Sequence, residues 1–193
     1  HGFNRAFCTN KFVPTALPRK NYAPFDDIKR DMDKDLIKKV LKEAVKNGGD
    51  FADLYIERTQ PSYIHLEDDK IEKVVTGIDL GAGLRVIFNG KSVYAYTNDL
   101  SDKALLELAE TVRAAVKGKH NGSDIDLRKK NPTIDFRIIK RPDEVDTDKK
   151  VQLVKKANEA ARGIDSRIKQ VMVIYRDTLQ NVTIGNTDAF LTE

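Results

Sequence analysis

The sequence predicts an α+β fold, in which antiparallel β-hairpins form a sheet packed by amphipathic helices. Three observations predict it. Apolar residues recur at helical spacing in separate blocks, alternating runs of β-forming residues lie between those blocks, and several of those runs join through two-residue turns. Helix–strand–strand order occurs early and again late, without a residue-level repeat.

In "DKDLIKKVLKEAVKNGG", Leu36, Ile37, Val40, Leu41, Ala44 and Val45 form one apolar stripe. Asp33 or Asp35 caps its start, and Asn47-Gly48-Gly49 stops it. "ADLYIERT" alternates and predicts a strand that Pro61 ends. "SYIHLEDDKIEKVVTG" predicts two short strands around Asp68-Asp69, with His65 facing Glu72. In "GIDLGAGLRVIFNGKSVYAYTNDLS", Asn89-Gly90 is the preferred two-residue turn, because both positions tolerate positive φ. That turn pairs Phe88 with Lys91, Val86 with Val93 and Leu84 with Ala95 on an apolar, helix-facing side. The other side carries Ile87 with Ser92, Arg85 with Tyr94, and Gly83 with Tyr96.

A second helix follows in "SDKALLELAETVRAAVKG", capped by Ser101, striped by Leu105, Leu108, Ala109, Val112 and Val116, and stopped by Gly118. "TIDFRII" predicts a short strand and "TDKKVQLVKKANEAARG" a third helix. "RIKQVMVIYRDTLQNVTIGNT" predicts a further strand pair. The organisation expected is a basic extended arm over residues 1–32, an α+β unit over 33–118, a linker over 119–146, and a helix with a strand pair over 147–193. The opening at His1 points to a removed leader or a defined fragment, and the ending inside "IGNTDAFLTE" looks like a cut before a further domain.

Composition narrows function. The balance of 34 basic against 30 acidic residues leaves a net charge of +4, interspersed past residue 26, which argues against a nucleic-acid footprint. No apolar run approaches the roughly 20 residues that span a bilayer. One cysteine, Cys8, permits no internal disulfide and favours a cytoplasmic setting, with export the alternative if a signal was removed.

Gly81-Ala82-Gly83 invites a phosphate-loop reading, but Val86 stands where the third glycine belongs, and a β-branched strand follows in place of a helix. Two readings of these glycines remain. In one, Tyr96 covers the bare backbone and Arg85 packs on Tyr94, a structural device. In the other, Gly81 and Gly83 let an extended peptide approach, making Gly81, Gly83, Arg85, Tyr94 and Tyr96 a substrate- or partner-facing set. No catalytic or metal-ligating set emerges. His1, His65 and His120 are isolated, and no nucleophile elbow, Cys-x-x-Cys or Walker loop occurs.

The stretch from Gly48 to Ser101, above all Ala52-Asp53, "GIDLGAGLRV" and "YAYTNDLS", with the later "SRIKQVMVIYRDTLQNVTIGNT", resembles the N-terminal domain of the TldD/PmbA family. These are zinc metallopeptidases also called modulators of DNA gyrase. The "YAY…LS" wording is closer to the TldD side than to the metal-free TldE/PmbA side. The resemblance implies a longer parent whose zinc lies on a His-Glu-x-x-x-His helix in the C-terminal half, a motif this chain lacks. It further implies a homo- or heterodimer with a TldE/PmbA-like subunit, unfolded peptides as substrate, and a role here in substrate access and dimer contacts. Ala189 stands where the family tends to place glycine. The alternatives are a free-standing basic binding module for nucleic acid or an acidic protein, and a metal-free TldE/PmbA-like partner.

Overall fold

A computed structural model describes residues 32–117, 125–130 and 138–192; the basic arm and most of "TIDFRII" lie outside them. Helices α1 (Lys34–Val45), α2 (Asp102–Ala115) and α3 (Thr147–Ile164) accompany strands β1 (Phe51–Glu67), β2 (Lys70–Thr76), β3 (Asp79–Phe88), β4 (Lys91–Thr97), β5 (Arg128–Lys129), β6 (Met172–Asn186) and β7 (Phe190–Thr192). The strands form one sheet, ordered β4-β3-β1-β6-β7-β5, with β2 also paired to β1. All pairings are antiparallel except β5 with β7, so the α+β class holds with a mixed sheet.

β1 is the spine. Its first half pairs with β3, its second half with β2, and its other edge with β6 from Asp53 to Glu67. Pro61 therefore does not end the strand, contrary to the sequence expectation. The proline removes one N–H, and the interruption between β2 and β3 lies beside it, while the β6 ladder runs past unbroken. β6 likewise is one long strand and not a pair, because it follows β1 throughout; its hairpin partner is the short β7. His65 stands opposite Lys73, not Glu72, because a bulge between His65 and Leu66 shifts the register.

The local signals otherwise form as their chemistry dictates. Asp33 Oδ1 accepts from Asp35 N at 2.9 Å, and Ser101 Oγ accepts from Ala104 N at 3.3 Å, capping α1 and α2. Asp68, Asp69, Asn89 and Gly90 all take positive φ in their hairpin turns. The predicted β3–β4 register is the observed one, from Ile87↔Ser92 to Gly83↔Tyr96. α2 leaves helical geometry at Val116, two residues before Gly118.

All three helices cover the face of the sheet that carries the even-numbered residues of β1. Under α1 and α2 the core is aliphatic: both predicted stripes are buried with Ala52, Leu54, Ile56, Ala82, Leu84 and Val86. Each fully buried Leu, Ile or Val there contributes about 1.5–3 kcal/mol. Ile125 and Leu127, from a stretch whose polarity predicts a loop, join this core. Arg113 of α2 pairs with Glu43 of α1 beside it. α1 comes so close to β6 that a Cβ on Gly185 would lie 2.7 Å from Ile37 Cγ2.

Under α3 the packing is different. Among the described residues, the buried apolar cluster there consists of Ile64, Leu66 and Val154. Beside them Lys150, 5% exposed, meets Asp177 Oδ2 at 2.7 Å and donates to Ser62 Oγ at 3.1 Å. At the far end Asn158 Nδ2 and Arg162 Nε donate to Asp69 Oδ1 at 2.6 and 2.9 Å, tying α3 to the β1–β2 turn.

Candidate functional site

The helices leave the other face of the sheet open. Side chains alternate along strands, so the odd-numbered residues of β1 point to that face together with Gly81, Gly83 and Arg85 of β3 and Tyr94 and Tyr96 of β4. Register sets three neighbouring rows: Tyr96, Gly83, Tyr55 and Ile184; then Gly81, Glu57 and Val182; then Asp79, Thr59 and Gln180. Gly81 and Gly83, in adjacent rows, leave a low strip between taller side chains, with the Tyr94 ring lying over Gly83.

A trough of about 460 Å³ occupies that strip. Tyr94 and Tyr96 border it on the β4 side, Tyr55, Glu57 and Thr59 on the β1 side, and Asp79 at one end. The rings of Tyr94 and Tyr96 stack with centroids 6.4 Å apart and planes at 26°, although 63% and 78% of each residue is exposed.

Of the five residues singled out from sequence, Gly81, Gly83, Tyr94 and Tyr96 line this trough together. Arg85 is not in its lining. Its guanidinium makes a bidentate pair with Asp53, at 2.8 and 2.9 Å, one row away. That pair also replaces the expected packing of Arg85 on Tyr94. The ring over Gly83 is Tyr94 and not its cross-strand neighbour Tyr96: a Cβ on Gly83 would sit 2.5 Å from Tyr94 Oη and 2.9 Å from its ring. Tyr94 leans diagonally, a reach open to long aromatic side chains.

Glu57 is the group that sequence reasoning missed. Its carboxylate accepts from Gln180 Nε2 at 2.6 Å, Thr59 Oγ1 at 2.8 Å and Tyr55 Oη at 3.0 Å. These donors, Gln180 foremost, hold its pKa below the ordinary glutamate value, so it stays ionised. Partial burial, reinforced by the Glu57 bond, raises the Tyr55 phenol and keeps it a neutral donor. The missing signal was long-range: Glu57 stands opposite Gly81 only once β1 pairs with β3, and Gln180 arrives from β6.

Among the described residues, no group of three or more His, Cys, Asp or Glu is placed to hold a metal ion, and no helix is long and apolar enough to cross a membrane. His65 Nε2 lies 3.8 Å from Glu67, away from any such cluster.

Residues 52–117 match the PmbA/TldA metallopeptidase domain 1, and residues 140–192 match the PmbA/TldA metallopeptidase central domain. The metalloprotease TldD homolog of Haemophilus influenzae is 28% identical over 144 residues, covering 74% of this chain and 30% of that protein. A proposed modulator of DNA gyrase from Thermotoga maritima superposes with a TM-score of 0.62 at 19% identity, over 80% of this chain and 35% of its own. TldE from Thermococcus kodakarensis superposes with a TM-score of 0.57 at 14% identity, over 78% and 34%. The chain thus spans about a third of the length of these relatives. With matches to both its first and its central domain, the chain belongs to the TldD/PmbA metallopeptidase family.

Proposed function

We propose that this chain is the substrate-admitting, non-catalytic part of a TldD-like zinc metallopeptidase, and that its open sheet face receives unfolded peptide. The trough over Gly81 supports this reading: with no side chain at that position an extended chain can lie close, and Tyr94, whose ring lies over Gly83, and Tyr96 supply apolar contact. Zinc and the hydrolytic step belong, on this reading, to a part of the parent protein beyond these residues, and no step of the chemistry is assigned to them.

Dimer contacts fit the far end of the same face. Val75, Ile174 and Met172 lie there exposed, next to Tyr63 and Arg176, whose guanidinium stands 5.0 Å over the Tyr63 ring. A homodimer or a heterodimer with a TldE/PmbA-like subunit would bury them. The structural neighbour TldE supports the heterodimer. The cytoplasm, rich in unfolded chains and reducing, suits the single cysteine.

The test is an amide NMR titration of the chain with reduced, carboxymethylated α-lactalbumin as unfolded polypeptide. Shifts should concentrate in residues 79–97 and around Tyr55 and Glu57. Shifts confined elsewhere, or none, would overturn the reading.

A further inference from the structure

The charge of the trough is out of character with the chain. The protein carries a net +4, yet the eleven residues lining the trough include Glu57 and Asp79 and no lysine or arginine. Arg85, on the neighbouring row of the same face, is already paired through its two bonds to Asp53. Three tyrosines, Tyr55, Tyr94 and Tyr96, complete the walls.

Glu57 is also preorganised. Three neutral donors fix its carboxylate without supplying a counter-charge: two bond Oε1 and one bonds Oε2. A carboxylate offers about four acceptor positions, so roughly one remains, on Oε2. A negative charge held rigid, without a lysine or arginine paired to it among the described residues, and flanked by aromatic rings is the chemistry that selects an ammonium or guanidinium, through charge-assisted hydrogen bonding and cation–π attraction.

We infer that the trough selects peptides carrying a basic side chain, lysine or arginine, which enters beside Glu57. The inference rests on the peptide-docking reading and sharpens it by naming the substrate class. A side chain is favoured over a peptide's terminal amine because Gly81 and Gly83 alternate along β3. The trough therefore runs in the strand direction, from Asp79 to Gly83 along β3 and from Tyr55 to Thr59 along β1, and an extended chain lying in it continues past Glu57.

Four fluorescein-labelled, unstructured nonapeptides of otherwise identical Gly/Ala/Ser sequence test this by polarisation against the intact chain. Three are N-acetylated with a central lysine, norleucine or glutamate, and the fourth has a free N-terminus with central norleucine. The lysine peptide should bind about tenfold more tightly than acetylated norleucine, and the glutamate peptide more weakly than either. Glu57→Gln, which keeps the hydrogen-bonding shape, should bring the lysine and norleucine peptides together, and Asp79→Asn should narrow the gap by a smaller factor. Far-UV circular dichroism checks that both variants fold. Equal binding of the lysine and norleucine peptides would overturn the inference while leaving the docking reading intact. Tighter binding of the free-amine peptide than of the lysine peptide would overturn it in favour of terminal-amine capture. No binding by any peptide would overturn both readings.

Discussion

Two halves of one sheet are covered in opposite ways. Beneath α1 and α2 the interior is aliphatic, with Ile37, Leu41, Leu54, Leu84 and Leu105 essentially inaccessible. Beneath α3 three buried apolar residues share the space with the Lys150–Asp177 pair, Ser62 and Asn158. The first half is held by area removed from water, which is non-directional and strong. The second is held by polar groups whose attraction largely offsets their desolvation, and which thereby fix where α3 sits more than how firmly. If buried polar pairing sets position, the halves should respond differently to the same style of substitution.

The two largest effects are expected to be about equal, one in each half. Leu41→Ala should cost about 3 kcal/mol, within the usual range for a buried leucine, read from urea unfolding. In the polar half, Asp177→Ala leaves the buried Lys150 ammonium without its counter-charge and should cost about 3 kcal/mol as well. The halves then separate: Lys150→Met combined with Asp177→Leu should recover most of that loss, as no second change in the aliphatic half would. A double variant as unstable as Asp177→Ala would show that the pair itself stabilises the fold.

Acid sharpens the contrast. Burial opposes ionisation of Asp177, but the hydrogen bonds from Lys150, Tyr175 and Ser62 together outweigh it and hold its pKa below the ordinary value. A depressed carboxyl contributes stability that is present above the unfolded pKa of about 3.9 and is lost as pH falls through the folded value. Thermal melts taken from about pH 5 downward should therefore lose less stability in the double variant than in the native chain. The opposite sign holds at the alkaline end. The Tyr175 phenol, donating to Asp177, is pushed up to about 12, so its contribution persists below the unfolded value near 10 and fades as pH climbs through 12.

A smaller effect lies at the β6–β7 hairpin. Ala189 holds φ at 63°, in the left-handed region where its Cβ is strained. The hairpin forms nonetheless, pairing Ile184 with Thr192 and Gly185 with Leu191. Ala189→Gly should relieve that strain and raise stability by up to about 1 kcal/mol, partly offset by the freer unfolded chain. A lower melting temperature in the variant would contradict the strain assignment.

The same contrast explains what was legible in the sequence. The stripes of α1 and α2, their caps, and the Asn89-Gly90 register are local patterns, so they could be read and are observed. Four of the five trough residues followed from that one hairpin. Glu57, Gln180 and the Asp53–Arg85 pair come together only through the β1–β3 and β1–β6 ladders, and no local signal sets those registers. Pro61 misled because its missing N–H weakens one edge of a strand whose other edge is continuously paired. Nothing local marks Lys150 as buried, since its partner Asp177 lies 27 residues further along, on another element.

The most direct test of the peptide-admitting trough is Gly83→Val, with stability and binding measured on the same sample. The new side chain meets chiefly the exposed ring of Tyr94, which can swing outward, so the fold should survive while the floor of the trough fills. The account predicts an essentially unchanged circular dichroism spectrum, a melting temperature within a few degrees of the native chain, and loss of binding to reduced, carboxymethylated α-lactalbumin. Undiminished binding by a folded Gly83→Val would place the peptide elsewhere. An unfolded variant would mean that Gly83 serves the sheet itself and not a ligand, and either result would contradict the account.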